Sequence, residues 1–143
     1  KQRVGSGLLM EIPMAKRDVV FPQGRQALYE QNTYSAAVRS GDFLFVSGQV
    51  GSREDGSPEP DFAAQVQLAF DNLQRVLEAA GASFDDIVDV TSFHTDPEAQ
   101  FPIWLEAKAR AFPEKPYPNW TAVGVTWLAG FDFEIKVIAR LPE

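Results

Sequence analysis

Apolar residues recur along this chain at two spacings, and the change from one to the other separates strands from helices. The short apolar run at residues 18–21, stopped by Pro22, reads as an edge strand. Residues 36–39 and 43–48 are two more strands, joined across Ser40-Gly41-Asp42, a tight-turn composition that predicts a hairpin. Residues 51–60, with Gly56-Ser57-Pro58 and mixed charges, read as an exposed loop. From Phe62 the period lengthens. Phe62, Val66, Ala69, Phe70, Leu73, Val76, Leu77 and Ala80 fall on one helical face, with Gln65, Asp71, Gln74, Arg75 and Glu78 opposite. Gly81 is placed to end that helix, since a glycine accepts the left-handed conformation found there.

Residues 87–95 are rich in β-branched side chains and read as a strand stopped by Asp96-Pro97. A second helix is predicted over residues 101–112, with Pro102 in its first turn and Trp104, Leu105, Lys108 and Phe112 on a broad face. Pro113, Pro116 and Pro118 then prevent regular structure, and two final strands follow at residues 120–127 and 131–141 around Ala129-Gly130. The order gives an α+β fold, a mixed six-stranded sheet backed by two helices. Phe43-Leu44-Phe45-Val46 are consecutively apolar, and Ile135, Val137 and Ile138 stand beside Phe133, so both sheet faces are expected to be covered. Two helices cover one face; a second copy of the chain is expected on the other. Residues 1–14, with Gly5-Ser6-Gly7, are expected to be a flexible arm or an expression remnant, and residues 15–143 a single domain.

Composition narrows the functional classes. The 143 residues suit one domain, and the absence of cysteine excludes disulfides, thiolate nucleophiles and cysteine-based zinc sites. A formal charge of −7 without a Lys/Arg cluster argues against a nucleic-acid surface. No apolar stretch approaches the roughly 20 residues needed to cross a bilayer, so a soluble, cytoplasmic protein without membrane contact is expected. There is no phosphate loop, dinucleotide fingerprint or zinc motif, and neither cofactor nor metal is expected.

Three segments carry a resemblance. Asn32-Thr33-Tyr34-Ser35-Ala36-Ala37-Val38, then Phe45-Val46-Ser47-Gly48-Gln49, then Phe133-Glu134-Ile135-Lys136-Val137-Ile138-Ala139 resemble the successive signatures of the YjgF/RidA (Rid) family. The resemblance spans residues 19–139. It implies a fold like trimeric bacterial chorismate mutase, a homotrimer with small-molecule clefts between subunits. In the family's deaminases a Pro-x-Arg-Ser/Thr segment grips the carboxylate of a small imine. Here the segment is Pro118-Asn119-Trp120-Thr121, and an indole replaces the guanidinium. Arginine offers a charged bidentate fork, whereas tryptophan offers one N–H and an apolar face. Weak activity on small 2-imino acids follows, unless Arg39, Arg110 or Arg140, of this chain or a neighbouring one, takes over the carboxylate.

The site residues implied are Glu134 and Tyr34 as catalytic groups, and Trp120, Thr121, Ser47 and Gln49 as substrate-binding groups. Glu134, between Phe133 and Ile135, is a carboxylate that must be solvated, hydrogen-bonded or raised in pKa, and a raised pKa suits proton transfer. Resemblance adds that it positions the attacking water. Tyr34 offers a hydroxyl, and Gly48 lets the backbone come close beside Ser47 and Gln49, whose ordinary role is turn and strand-end hydrogen bonding. Tyr117, Trp104, Trp127 and Phe131 are available to form an aromatic lining with Trp120. His94 is the only histidine; Ser92, His94 and Asp96 point the same way along a strand, with no nucleophile expected at the ring's free nitrogen. Three functions follow: an imine or enamine hydrolase, a non-catalytic metabolite-binding trimer, and an endoribonuclease of the L-PSP type, against which the acidity weighs.

Overall fold

The computed structural model describes residues 16–143, and the backbone alone of residues 2–4 and 10–12. The expected N-terminal arm therefore lies largely outside the described residues. Its described parts, β1 (Gln2–Val4) and β2 (Met10–Ile12), pair antiparallel.

Six strands form the main sheet: β3 (Asp18–Val20), β4 (Ala37–Ser40), β5 (Phe43–Val50), β6 (Ile87–His94), β7 (Asn119–Gly124) and β8 (Phe133–Arg140). Their spatial order is β3-β4-β5-β8-β6-β7. Only β6 and β7 run parallel, and the crossover that a parallel pair requires is supplied by a helix, α3 (Pro97–Ala111). The chain's last strand thus lies in the middle of the sheet, antiparallel to β5 and to β6.

The long helix α2 (Phe62–Ala79) starts where the hydrophobic period begins. Asp61 caps it by accepting from the Ala64 N–H at 3.0 Å. It ends at Gly81, φ +77°, where the N–H of Ala82 returns to the Leu77 carbonyl at 2.9 Å. Val66, Phe70, Leu73 and Leu77 pack on Leu44, Val46, Ile135 and Val137, with Phe70 stacked 5.9 Å from Phe133. The other face of the sheet is open within one chain. Alternation puts Phe43 (37% exposed), Phe45 (43%) and Val123 (37%) there.

The structure corrects four local expectations. A short helix, α1 (Gln26–Gln31), precedes the first hairpin; its six residues are too few to show an apolar period. Helix α3 begins at Pro97 instead of residue 101, so Pro97 takes the tolerated first position and Pro102 lies inside the helix. Strand β7, expected to reach residue 127, stops at Gly124, where a side chain would press on Pro97. Gln65, expected on the exposed face of α2, is buried. Its amide nitrogen donates to the Glu59 carbonyl (2.8 Å) and its oxygen accepts from the Asp132 N–H (2.8 Å). A polar side chain is stable in that position because both its ends are paired.

Candidate functional site

The conspicuous side chains fall into two neighbourhoods on opposite faces of the sheet. On the open face, Glu134 of β8 stands across from Phe93 of β6 and Val50 of β5. The register of β5 against β8 breaks between Val46 and Gln49, and this bulge brings Gly48 under the Glu134 side chain. A Cβ at Gly48 would collide with the Glu134 carboxylate, so the glycine is what gives that group its space. Glu134 is half-buried. Desolvation raises its pKa above the ordinary glutamate value, against the smaller opposing effect of Lys136 two residues along.

Tyr34 is presented to the same region by a bend that the sequence did not reveal. Thr33 has φ +64°, a left-handed conformation rare for a β-branched residue, and the chain turns there out of α1. Behind Tyr34 lies the buried Tyr29, edge-on at 5.0 Å. The Tyr29 hydroxyl donates to Gln49 Oε1 (3.0 Å), Gln49 Nε2 donates to the Ser47 carbonyl (3.1 Å), and Ser47 Oγ donates to the Ser35 carbonyl (2.7 Å). Burial foremost, then Tyr29 and the Glu134 charge, raise the Tyr34 pKa, so its phenol stays protonated and able to donate. A groove of about 630 Å³ runs along Tyr34, Ser35, Val38 and Ser47, with Arg17 and Glu30 at its rim.

This arrangement sorts the expected binding residues. Ser47 lines the groove, although its hydroxyl proton is committed to Ser35. Gln49 does not reach it: the side chain is 3% exposed and braces Tyr29 from behind. Beneath both, Arg25 is buried and donates to Ser52 Oγ (2.9 Å) and to the carbonyls of Ser52 (3.0 Å) and Arg53 (2.8 Å). Asn72 of α2 donates to the Val50 and Ser52 carbonyls (2.9 and 3.1 Å). Neither Arg25 nor Asn72 carried a signal in the sequence, because each acts on backbone distant along the chain.

Trp120 belongs to the helix-covered face. It pairs in register with the buried Val90, whereas its neighbour Thr121 pairs with Thr91 on the open side. Trp120 stacks 6.0 Å from Trp104 and meets the edge of Phe112 at 5.7 Å. Its indole N–H donates to Ser92 Oγ at 2.9 Å, and Ser92 Oγ lies 2.7 Å from His94 Nε2. A serine hydroxyl therefore does face the histidine ring, contrary to the expectation from strand geometry. Ser92 and His94 are 0% and 1% exposed, so this pair is closed to a substrate. Ser92 Oγ thus accepts from the indole and shares a hydrogen bond with Nε2, while the buried Nδ1 of His94 has no partner among the described residues. Burial lowers the His94 pKa and keeps the ring neutral.

The three arginines considered as substitutes for the missing guanidinium are engaged elsewhere. Arg39 pairs with Asp18 (3.3 Å), Arg110 donates to Gln67 (3.0 Å) and Arg140 lies over Phe43. The cation beside Trp120 is instead Lys108 of α3, whose ammonium stands 4.2 Å from the ring centroid. Trp127 is 75% exposed and takes no part in this cluster. No group of three or more metal-ligating side chains occurs among the described residues, and none of their helices is long and apolar enough to cross a membrane.

The pattern described as Endoribonuclease L-PSP matches residues 24–141. The chain is 71% identical over 130 residues to the RutC family protein YjgH of Escherichia coli K12, covering 91% of this chain and 99% of that protein. It is 33% identical over 115 residues to the 2-iminobutanoate/2-iminopropanoate deaminase of Dermatophagoides farinae, covering 79% and 86%. Among solved structures, protein YjgH superposes with a TM-score of 0.86 at 70% identity, over 90% of this chain and 99% of that one. RidA from an Antarctic Psychrobacter superposes with a TM-score of 0.71 at 33% identity, over 76% and 89%. With a mixed six-stranded sheet, helices on one face and the Tyr34, Gly48 and Glu134 segments in place, the chain belongs to the YjgF/RidA family.

Proposed function

We propose that the protein hydrolyses a small imine or enamine to a carbonyl compound and ammonia at the groove of Tyr34, with Glu134 beside it on the open sheet face and a neighbouring copy completing the site. The observation that carries this reading is the Glu134 carboxylate. It is seated over Gly48, half-buried and raised in pKa, beside a phenol that stays protonated. A carboxylate of that kind takes a proton from water as the water oxygen bonds to the imine carbon. The Tyr34 hydroxyl donates a hydrogen bond to the nitrogen or oxygen that gains electron density. The proton held by Glu134 then passes to nitrogen to give a carbinolamine; the freed carboxylate takes the new hydroxyl's proton and hands it to nitrogen as the carbonyl forms, so that the carbon–nitrogen bond breaks and ammonia leaves. Thr121, on the same sheet face, and Ser47 supply polar lining. The deaminase relative from D. farinae supports the reaction class.

The test is ammonia release from imines generated in situ by an amino-acid oxidase, with the purified protein and its Glu134→Gln variant. The variant should turn over about 10²–10⁴-fold more slowly. Water activation requires the ionised carboxylate, and burial keeps Glu134 protonated to a higher pH than a free glutamate. The native rate should therefore fall on acidification above the ordinary glutamate range, and this acid limb should vanish in the variant. 2-Iminobutanoate, which meets no arginine in the Pro118-Asn119-Trp120-Thr121 segment, should be a slow substrate. Equal turnover by Glu134→Gln across all imines would remove the hydrolytic role; saturable ligand uptake without ammonia from any of them would make the protein a metabolite binder.

A further inference from the structure

A second concavity lies on the helix side of the sheet, between the C-terminal half of α3 and the segment that leads into β7. It encloses about 300 Å³, the lower end of the range that small-molecule sites occupy. Its walls are Trp120, Phe112, Tyr117, Leu105 and Pro118, and its polar contribution is the Lys108 ammonium. Three features distinguish it from a surface dent.

The aromatic wall is fixed before any ligand arrives. Trp120 is held by its N–H bond to Ser92 and by contact with Trp104 and Phe112, so presenting its face costs little further side-chain entropy. The indole N–H is spent inward, and the groove is offered a ring surface without a donor. The cation has no acidic partner: no carboxylate among the described residues lies within ion-pair distance of Lys108. It rests over the Trp120 ring at 4.2 Å and near Trp104 at 5.7 Å, and partial burial lowers its pKa. An ammonium held at an apolar wall without a counter-charge is completed by an anion, and an aromatic lining is completed by a flat apolar body.

We propose that this groove binds a small planar aromatic carboxylate, its ring against Trp120 and Tyr117 and its carboxylate on the Lys108 ammonium. The site is separate within one chain from the Tyr34 groove and from Glu134, since the sheet lies between them, and the proposal does not depend on the hydrolytic reading.

Calorimetric titration of the full chain with indole-3-acetate, and with the uncharged indole-3-acetamide, tests it. The acid should bind saturably and more tightly than the amide. Lys108→Met should weaken the acid by about tenfold or more, the effect of losing a charge-assisted hydrogen bond, and leave the amide unchanged. Lys108→Arg should retain the preference for the acid, which separates loss of charge from loss of fold. Tyr117→Ala, at a side chain 56% exposed and so tolerant of truncation, should weaken acid and amide alike. Equal affinity for acid and amide, no saturable binding of the acid, or insensitivity to Lys108→Met would each overturn the proposal. So would loss of acid binding in Glu134→Gln, which would place the probe in the other groove.

Discussion

Glu134 and Gly48 form a functional unit at the scale of single residues, because the space one lacks is the space the other occupies. Gly48→Ala places a methyl group where the carboxylate now sits. The expected outcome is a folded protein whose ammonia release falls by at least about tenfold, toward the level of Glu134→Gln, without a matching loss of thermal stability. Thermal melts and turnover measured together check this; full activity in a folded Gly48→Ala protein would separate the two residues. The sequence left Glu134, between Phe133 and Ile135, as solvated, hydrogen-bonded or raised in pKa, and its half-burial over Gly48 favours the last. The placement of Trp120 was not legible in the sequence. Its position in the Pro118-Asn119-Trp120-Thr121 segment suggested a shared lining with Glu134, but strand alternation turns it to the helices and Thr121 to the open face. The Ser92 to His94 hydrogen bond escaped for a related reason. Side chains two apart on a strand share a face, and a serine can reach a ring of this size when burial packs both inward.

Among the elements, the helices with a clear apolar period were predictable and the short ones were not. The α2 stripe and the hairpin across Ser40-Gly41-Asp42 appear as read, while α1 has no period to read. Yet α1 and the residue ahead of it hold the Tyr34 groove together. Arg25 ties this segment to the backbone of Ser52 and Arg53, and Tyr29 ties it to Gln49. Arg25→Met removes three buried or part-buried hydrogen bonds from one charged donor, leaving the Ser52 carbonyl to Asn72 and the Arg53 carbonyl to the Gly56 N–H. It should cost about 2–3 kcal/mol of folding stability, since hydrogen bonds from a charged donor contribute about 1.5–3 kcal/mol. A denaturant series gives the value, and a change under about 0.5 kcal/mol, typical of a surface substitution, would show that the buried guanidinium is not a strut.

For the molecule as a whole, the open sheet face sets the expectation of assembly. Phe43, Phe45 and Val123 share that face with Glu134, an apolar surface of the kind that marks an interaction site. Light scattering should give about three times the 15.9 kDa chain mass, and Phe45→Glu, which puts a charge in the centre of that surface, should shift it toward the single chain. A native protein that scatters as one chain at micromolar concentration would leave the Tyr34 groove without its second wall. The expectation of a covered second face came from consecutive apolar residues in β5, and in one chain those residues are alternately buried and exposed. The central place of β8 also bears on synthesis. Because β5 and β6 each pair with β8 and with no part of one another, the strands made first divide into two unconnected groups until residues 133–140 emerge. A nascent chain halted before Phe133 has no continuous sheet for α2 to lie on, so the fold closes on its final strand and ribosome-bound chains should stay protease-sensitive until then.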